Sequence, residues 1–436
     1  MVGRFFLETY GCQMNAADSA MVAQLLEESG YEAAALPEEA DLILVNSCTV
    51  RDHAAERIHG RLTSLLAYRQ QRPALLIGLL GCLAQHEGEE AWRRMPFLDL
   101  VVGPDGYRRL PALIAAAQRS KRVSLDVTLD PRETYADLPL APVGDEKSAF
   151  VTVQRGCDRF CAYCIVPRVR GRERAVPAPA VLRQVRGLAD QGCREVTLLG
   201  QTVNSYQHEG TDFAALLAQV AQIPGIARVR YLSPHPADYS PQLVQVHREQ
   251  PTVMPHVHLP VQSGSDAVLQ AMGRGHDRQA YLELVRRLRQ AVPGIELTTD
   301  ILVGFPGETE ADLAETERLL TEVRFAAAYL YRYSERPGTR AAHKLPDTVP
   351  EDEKLRRLGR VIELQEEITR EIFAGYCGRE VEVLVEGFSR RDPTQVRGRS
   401  RESLPVVVQA SPAPLPGSLV RARVTGSTGH TLLATS

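Results

Sequence analysis

Short runs of apolar residues alternate with amphipathic stretches along the first part of the chain. Residues 18–29 carry apolar side chains at helical spacing, and Asp18 or Ser19 is the expected N-cap of that helix. Buried apolar strands that alternate with helices are typical of a parallel α/β sheet. We therefore predict a parallel α/β domain for residues 1–118, with strands at Phe5–Leu7, Leu42–Val45 and Leu75–Ile77.

The alternation of strands and helices resumes after a polar, proline-containing stretch at residues 119–147, which we interpret as an interdomain linker. Six further strand-and-helix units over residues 148–345 indicate an open or closed β/α barrel. The active site of such a barrel lies at the carboxyl ends of its strands. The predicted strands are Phe150–Gln154, Val196–Leu199, Val229–Leu232, His256–Leu259, Leu297–Val303 and Ala327–Tyr331.

The pattern of hydrophobic and polar residues changes in the C-terminal part of the chain, from Glu351 onwards. Glu351–Phe373 reads as one long amphipathic helix. The segments after it are short, rich in β-forming residues and separated by turn residues, which predicts a small all-β barrel. Its expected strands are Val381–Val385, Leu404–Gln409, Ser418–Val424 and Thr431–Ala434.

Composition narrows the class of protein. The 436 residues are 44% hydrophobic and 24% charged, which is typical of a soluble globular chain with several domains. The formal net charge is -3, so any binding of nucleic acid would need a local basic patch.

The first residues run directly into a cysteine motif and leave no room for a signal peptide, and no apolar run reaches the length of a membrane span. We expect a cytoplasmic protein.

The densest cysteine motif is Cys157, Cys161 and Cys164, which follows the first strand of the predicted barrel. Three thiolates at this spacing can hold three irons of a [4Fe–4S] cluster and leave the fourth iron open as a reaction site. A zinc knuckle or an electron-transfer cluster is the alternative interpretation. Both of these normally need a fourth ligand, and none follows Cys164 within the expected reach.

A second set of cysteines is dispersed along the N-terminal domain. Cys12, Cys48 and Cys82 each end an apolar run, and the carboxyl ends of parallel strands converge on one edge of a sheet. These three residues can therefore meet and hold a second cluster, although buried cysteines also pack as small hydrophobic side chains. Two further cysteines, Cys193 and Cys377, belong to neither set and are interpreted as structural.

The spacing of the denser motif, with an aromatic residue at Tyr163 before its last cysteine, resembles the radical-SAM superfamily. The resemblance implies that the open iron binds S-adenosylmethionine and that its reductive cleavage gives a 5′-deoxyadenosyl radical. It also implies cofactor contacts at glycine-containing strand ends, although each of these segments could equally be a plain turn. The expected cofactor-binding residues are Tyr163, Gly200, Gln201, Gln262, Thr299 and Gly304.

The two cysteine sets together resemble the methylthiotransferase family of radical-SAM enzymes, and several stretches are similar to its tRNA branch, the MiaB group. These stretches are Gly11–Asn15 with Asp18–Ser19, Asn46–Arg51, Gly81–Gln85, Gln154–Cys157, Ile165–Pro167, Arg170–Arg174, Ser233–Pro236 and His258–Ser265. The family pattern divides the chain into a methylthiotransferase domain at 1–118, a radical-SAM core with a partial (β/α)6 barrel at 143–372, and a TRAM-type RNA-binding barrel at 373–436.

The resemblance also implies a reaction. Two [4Fe–4S] clusters would be present, and the cluster held by Cys12, Cys48 and Cys82, here named the auxiliary cluster, would carry the transferred sulfur. One S-adenosylmethionine would methylate that sulfur and a second would supply the radical. The product would be a methylthio group on carbon 2 of isopentenyladenosine beside the tRNA anticodon. No catalytic acid–base pair is assigned.

The C-terminal barrel is the expected RNA surface. Residues 374–436 hold eight arginines and five acidic residues, whereas the whole chain is negative. Small barrels of this kind commonly present basic loops to RNA, and one arginine-rich region predicted as a loop contains Arg397, Arg399 and Arg401, together with Arg390 and Arg391. A solvated loop is the alternative. A second basic set, Arg168, Arg170, Arg172 and Arg174, could bind RNA or pair with acidic residues.

Other functions remain open at this point. The same chemistry could act on ribosomal protein S12 or on threonylcarbamoyladenosine in tRNA, and a non-catalytic iron–sulfur RNA-binding protein is a rival of a different class. The expected partners are tRNA and an electron donor such as flavodoxin or ferredoxin, without a membrane. The sequence is compatible with a monomer and does not identify the sulfur donor.

Overall fold

A computed structural model of the chain describes residues 3–49, 54–120, 123–140, 147–389 and 392–436. Of the residues named above, Val50, Arg51, Arg390 and Arg391 lie outside the described residues. The contacts divide the chain into two compact units, each described by itself below. The first unit comprises Met1–Ala141, Gln154–Arg159 and Ile165–Val176, and the second comprises Pro142–Val153, Phe160–Cys164 and Pro177–Ser436.

The first unit is built on a six-stranded sheet whose neighbouring strands are all parallel. The order across the sheet is β2-β1-β3-β4-β5-β6. The predicted parallel α/β architecture is confirmed, and the three predicted strands correspond to β1, β3 and β4. The strands are β1 Arg4–Tyr10, β2 Glu32–Ala33, β3 Leu42–Ser47, β4 Leu76–Gly81, β5 Leu100–Val102 and β6 Ser124–Asp126.

Strand β6 lies in the stretch that we interpreted as a linker. It pairs with β5 through Leu100↔Ser124 and Val102↔Asp126, so this part of the stretch belongs to the sheet. Its three residues include one apolar side chain, Leu125, and such a short segment gives no strand pattern that differs from a polar loop.

Helices cover both faces of the sheet. In β3 the side chains of Leu42 and Leu44 enter one core cluster and those of Ile43 and Val45 enter the other, as the two-residue period of a strand requires. The helices of this unit are α1 Gln13–Glu28, α2 Ala54–Gln71, α3 Cys82–Glu87, α4 Glu89–Arg94, α5 Leu110–Ser120 and α6 Val166–Arg170. A two-stranded antiparallel pair, β8 Gln154–Arg155 with β9 Arg174–Ala175, completes it.

Helix α1 begins earlier than the sequence suggested. Its N-cap is Cys12, so the expectation of a cap at Asp18 or Ser19 is wrong. Asp18 is 1% exposed and pairs with two arginines, and the Ser19 hydroxyl accepts a hydrogen bond from Asn46. Both polar side chains therefore lie inside the helix because long-range partners satisfy them, and not because they cap it.

The second unit contains the predicted β/α repeat. Its six parallel strands form two hydrogen-bonded groups, β13-β10-β7 and β14-β15-β16, and a parallel bridge between Val229 and Val253 continues the first group towards the second. All six predicted strands are confirmed. They are β7 Ser148–Thr152, β10 Glu195–Leu199, β13 Arg228–Tyr231, β14 His256–His258, β15 Glu296–Val303 and β16 Ala327–Arg332. A small antiparallel pair, β11 Gln207–His208 and β12 Thr211–Asp212, lies between β10 and β13.

Most helices of this unit begin at a side-chain cap that accepts a hydrogen bond from a backbone amide of the first turn, as at Asp212, Ser240, Asp277 and Thr309. The predicted long helix is confirmed as α14. The helices are α7 Ala178–Asp190, α8 Phe213–Ala221, α9 Pro241–Glu249, α10 Asp266–Met272, α11 Arg278–Ala291, α12 Glu310–Val323, α13 Arg340–Lys344 and α14 Glu351–Ala374. Among the described residues, no helix is sufficiently long and apolar to cross a membrane.

The C-terminal strands close into the predicted all-β barrel, in the order β17-β18-β19-β21-β20. The expectation of a loop at Arg397 and Arg399 is wrong, because both residues lie on a strand. Val396 and Ser400 point into the barrel while the two arginines point outwards, so the alternation is that of a half-buried strand. The strands are β17 Glu380–Phe388, β18 Gln395–Ser400, β19 Pro405–Gln409, β20 Leu419–Ser427 and β21 Leu432–Thr435.

Two buried arginines on β13 attach the barrel to the β/α sheet within the second unit. Arg228 donates to the carbonyls of Arg399 at 2.8 Å and Glu382 at 2.9 Å. Arg230 donates to the carbonyls of Ser400 at 2.9 Å and Arg401 at 3.0 Å. The barrel is therefore held mainly through its main chain, and the Glu382 carboxylate adds one side-chain contact to Arg228 at 3.1 Å.

Replacing Arg228 by Met should loosen this attachment. The substitution leaves buried barrel carbonyls without a donor, which costs on the order of 3 kcal/mol. We expect a lower thermal unfolding midpoint and faster proteolytic cleavage between α14 and β17. Arg248→Met, at an exposed arginine that pairs with Glu249, is the control and should behave as the parent protein. Equal midpoints for the two variants would contradict the proposed attachment.

Candidate functional site

The three dispersed cysteines lie at the carboxyl ends of three neighbouring strands. Cys12 follows β1, Cys48 follows β3, and Cys82 follows β4 as the first residue of α3. The strands end in register, since Tyr10 pairs with Ser47 and Ser47 pairs with Gly81. The sequence predicted this common edge of the sheet.

Two glycines allow the cysteine-bearing segments to approach one another. Gly11 has φ +134°, and a Cβ added there would lie 2.6 Å from the Cβ of Cys48. Gly81 has φ +88°, and a Cβ there would overlap the side chain of Asn46. A side chain at either position would push two of the three strand ends apart.

A buried amide pair joins the same strand ends. Asn15 Nδ2 donates to Asn46 Oδ1 at 3.1 Å, and Asn46 Nδ2 donates to the Asn15 carbonyl at 3.0 Å. Asn15 Oδ1 also lies 3.3 Å from the Cys12 sulfur. This pair locks the first turn of α1 to the end of β3, and both side chains are fully buried.

Neighbouring groups shift the pKa values of the Cys12 and Cys82 thiols in opposite directions. A hydrogen bond from the Cys48 thiol and the positive charge of Arg170 lower the pKa of Cys12 to about 5. Burial raises the pKa of Cys82, although Arg170 donates to its sulfur at 3.2 Å. One thiolate is therefore ready to bind a metal at neutral pH, whereas the Cys82 thiol would lose its proton on binding.

Buried ion pairs surround these cysteines within the first unit. Asp18 accepts from Arg155 at 3.0 Å and from Arg170 at 2.7 Å, and Arg174 donates to Asp105 at 2.7 Å. The three arginines are no more than 8% exposed. Of the two alternatives left open for Arg170 and Arg174, the structure confirms pairing with acidic residues and excludes RNA contact, because both side chains are buried against those partners.

The other two arginines of that basic set are exposed, and Arg172 pairs with Asp158. Sequence reasoning missed the role of Asp18. A signal was available in the spacing. Asp18 stands three positions before Met21 and four before Val22, so it shares the buried face of α1 with them, where an acidic side chain needs a partner.

Cys157 belongs to the first unit. Its amide donates to the Gly171 carbonyl at 3.1 Å, and its sulfur accepts from the Arg159 amide at 3.3 Å. Gly156 has φ +78°, and a Cβ there would overlap the main chain of Arg172. The segment that carries Cys157 is thus pressed against the turn that follows α6.

Cys161 and Cys164 belong to the second unit. Arg274 lies 3.5 Å from the Cys161 sulfur through Nη1 and donates to the Pro260 carbonyl through Nη2 at 2.7 Å. The ring of Tyr163 packs edge-on against Phe305, with centroids 6.5 Å apart. Sequence reasoning missed Arg274, for which the available signal was a single arginine between Gly273 and Gly275 directly after α10.

The expected cofactor residues lie at strand ends of the second unit. Gly200 and Gln201 follow β10, and within the described residues both side-chain polar atoms of Gln201 are buried without a hydrogen-bond partner. Such an orphaned amide fits a site that a polar ligand completes. Gln262 has φ +80° and forms a parallel bridge with Ile301, so its backbone lies beside β15.

Two other expected cofactor residues are engaged with the protein itself. The Thr299 hydroxyl donates to the Leu259 carbonyl at 2.9 Å and accepts from the Val261 amide at 3.1 Å. The Gly304 amide donates to Glu308 at 2.8 Å. Both residues shape the loops at the strand ends through these contacts.

The face of the β14-β15-β16 group that carries Thr298 is polar. The Thr298 hydroxyl lies 3.1 Å from His256 Nε2 and 3.1 Å from His258 Nδ1, and His258 Nε2 lies 3.5 Å from Asp300. Burial lowers the pKa of His256. Tyr329 packs against His258 and is 56% exposed, so this face carries an aromatic ring that solvent reaches.

The chemistry of the cysteine side chains fits iron–sulfur clusters. Among the described residues, no group of three histidine, cysteine or acidic side chains forms a site for a single metal ion. A [4Fe–4S] cluster is far larger than one ion, and its thiolates bind separate irons. Six of the eight cysteines fall into the two sets, which matches the soft ligands that iron–sulfur clusters require.

Comparison with known proteins identifies the family. Residues 151–320 match the Radical SAM superfamily, and residues 4–103 match the Uncharacterized protein family UPF0004. A tRNA-2-methylthio-N(6)-dimethylallyladenosine synthase of Chlorobium limicola is 45% identical over 432 residues, which cover 99% of this chain and 97% of that protein. A protein of the same name from Cereibacter sphaeroides is 43% identical and covers 98% and 97%. The chain belongs to the tRNA-2-methylthio-N(6)-dimethylallyladenosine synthase family.

Solved structures support the fold expected for this synthase family. The methyltransferase TsrM from Kitasatospora setae has a TM-score of 0.57 at 14% identity and covers 78% of this chain and 74% of that chain. The radical enzyme OxsB has a TM-score of 0.55 at 14% identity and covers 84% and 56%. At this level of identity the likeness concerns the fold alone, and it confirms the radical-SAM architecture predicted from the cysteine spacing.

Gly81→Ala tests whether the three strand ends must stay close together. The added methyl meets Asn46 and strains a positive φ, at a cost of about 1–3 kcal/mol. After anaerobic reconstitution we expect about half of the parent's iron, because the other cysteine motif would still be loaded.

Gly88→Ala is the matched control for this variant. Gly88 also has a positive φ, in the same unit, but a Cβ there lies 3.8 Å from its nearest neighbour. Equal iron contents in the two variants, measured per chain, would show that close approach at Gly81 is not needed.

Proposed function

We propose that this protein methylthiolates carbon 2 of isopentenyladenosine beside the anticodon of tRNA, with two [4Fe–4S] clusters and two molecules of S-adenosylmethionine. The observation that carries the proposal is the set Cys12, Cys48 and Cys82 at three in-register strand ends, in a chain that also has the Cys157, Cys161 and Cys164 spacing. Relatives of nearly equal length carry the corresponding synthase name.

When bound, the clusters would supply the electron that cleaves S-adenosylmethionine and a place for the transferred sulfur. The carbon–hydrogen bond at carbon 2 of adenine is too inert for ordinary acid–base removal, which accounts for the need for a radical. We assign the six cysteines as cluster ligands. The chain's own contribution is to hold these thiolates, exclude water around them and bind both substrates.

The expected cofactor residues would divide this work. We propose that the Gln201 amide hydrogen-bonds S-adenosylmethionine, since both of its polar atoms are buried and unpartnered among the described residues. Tyr163, Gly200, Gln262 and Gly304 would form the walls of that site through their backbone or ring. Thr299 would act indirectly, by fixing the loop at 259–261.

The outer face of the C-terminal barrel is the proposed RNA surface. Arg397 and Arg399 are 41% and 46% exposed and share the carboxylate of Glu386. Phosphate groups could replace that shared partner, because exposed ion pairs contribute little free energy. Arg401 is 36% exposed, donates to the Pro251 carbonyl at 2.7 Å, and lies next to the same surface.

The remaining assignments follow from the same proposal. Residues 1–118 would form the domain of the auxiliary cluster, 143–372 the radical-SAM core and 373–436 the RNA-binding barrel. The substrate names of the relatives favour isopentenylated tRNA over ribosomal protein S12 or threonylcarbamoyladenosine. A small redox protein such as flavodoxin or ferredoxin would deliver electrons to a cytoplasmic, monomeric enzyme.

Cys12→Ala separates the two cysteine sets. We expect loss of the methylthio product with continued formation of 5′-deoxyadenosine, because the Cys157 motif would remain intact. Both products are measured by mass spectrometry after anaerobic reaction with isopentenylated tRNA, reductant, sulfide and S-adenosylmethionine. Cys377→Ser, at an exposed cysteine of neither set, is the control. Retained methylthiolation in the Cys12 variant would remove the first set from the reaction.

Arg397→Ala with Arg399→Ala tests the RNA surface. We expect weaker tRNA binding and a plot of log affinity against log salt that is shallower by up to about two units, because each lost phosphate contact removes about one released counterion. Arg318→Ala, at an exposed arginine on α12, is the control. An unchanged slope in the double variant, measured by fluorescence anisotropy, would remove this face from the interface.

A further inference from the structure

Arg170 is the buried side chain that joins a cysteine to the surrounding ion pairs. Its Nε donates to the Cys82 sulfur at 3.2 Å and its Nη2 donates to Asp18 at 2.7 Å. The residue is 4% exposed, at the end of α6, and the apolar side chains of Ile165 and Val169 pack with Cys82. The contact between Arg170 and the sulfur is therefore dry and fixed in direction.

Asp18 and Asp105 face three buried arginines, Arg155, Arg170 and Arg174, so these two carboxylates balance only two of the three positive charges. The third charge is left for cysteine thiolates to balance, and Arg170 accordingly contributes to the lowered pKa of Cys12. The guanidinium of Arg155 also lies 4.9 Å above the ring of Tyr135. A buried surplus charge is costly unless an anion compensates it.

One donor of the same guanidinium is left over. Among the described residues, Arg170 Nη1 is buried and has no hydrogen-bond partner. An unmet donor in such a position is unfavourable, so a ligand that accepts from it would be stabilised there. A [4Fe–4S] cluster with three thiolate ligands is anionic, so it would both balance the surplus charge and offer sulfur acceptors to this donor.

We infer that Arg170 is a positioning residue that holds the Cys82 thiolate by a charged hydrogen bond and raises the reduction potential of the auxiliary cluster. This inference rests on the proposed function, because it requires that cluster to be bound at Cys12, Cys48 and Cys82. Asp18 is the group that aims the guanidinium, since it accepts from Nη2 while Nε donates to Cys82.

The physical reason lies in the charge of the reduced cluster. A one-electron reductant such as dithionite adds an electron to the cluster without forming or breaking a bond, so the negative charge on the sulfurs increases. A hydrogen bond from a cation stabilises the more negative form more strongly, and the low dielectric of a buried site enlarges the difference. Hydrogen bonds to ligand sulfurs and nearby charge are established determinants of such potentials.

The test uses the full chain with Cys157, Cys161 and Cys164 replaced by Ala, so that the auxiliary cluster would be the one remaining. In this parent variant, Arg170→Met removes the charge and the donor, and Arg170→Lys keeps the charge but cannot reach Cys82 and Asp18 together. The midpoint potential is measured by electron paramagnetic resonance during a dithionite titration, with iron content and circular dichroism recorded for each protein.

We expect full iron loading and a midpoint potential more negative than the parent's in both variants, with the larger shift for Met. Arg69→Met is the matched control, since Arg69 pairs with Asp99 and donates to the Phe97 carbonyl in the same unit, and contacts no cysteine among the described residues. Its potential should equal the parent's.

Two results would overturn the inference. One is a parental potential in either loaded Arg170 variant, and the other is a folded Lys variant that binds no iron, which would make the residue purely structural. If the Met variant does not fold, the Lys variant decides. A parent without iron would instead contradict the proposed cluster site itself, and the inference with it.

Discussion

The common end point of β1, β3 and β4 is the constraint on which the rest of the N-terminal unit depends. Three segments far apart in sequence carry cysteines to one edge only because the strands are parallel and finish in register. Gly11 and Gly81 then bring the backbones together, and the Asn15–Asn46 pair holds them there. A shift of register by one residue would turn the preceding side chains to the opposite face of the sheet.

The ion pairs around Asp18 place buried charged side chains next to the strand ends that carry the cysteines. Burying five charged side chains is unfavourable for stability unless their geometry and hydrogen bonds offset the loss of water. Apolar side chains at these positions would stabilise the core at a lower cost in free energy. The ion pairs therefore serve the setting of Cys82 more than the stability of the fold. The pKa of Cys12 is lowered first by the hydrogen bond from Cys48 and then by the charge of Arg170, which belongs to the same ion pairs.

Much of the fold and of the cysteine placement could be predicted because it depends on local pattern. The six residues of β3 are all buried, and such runs are visible in one sequence. The missed features are non-local or lack an apolar pattern. Strand β18 reads as an arginine-rich loop because glycine, and not an apolar residue, occupies its inward position 398, so the alternation of apolar and polar residues is interrupted. The partners of Asp18 lie 137 and 152 residues away, and Arg274 lies 113 residues from Cys161, so no local spacing reveals them.

The attachment of the C-terminal barrel has a consequence for how such enzymes diversify. Arg228 and Arg230 recognise main-chain carbonyls of the barrel, and these oxygens are the same whatever side chains the strands carry. Apart from Glu382, whose carboxylate also pairs with Arg228 at 3.1 Å, the outward residues of β17 and β18 can therefore change while these main-chain contacts are preserved. The outer surface of the barrel can therefore acquire a different binding preference through substitutions that leave its junction with the β/α sheet in place.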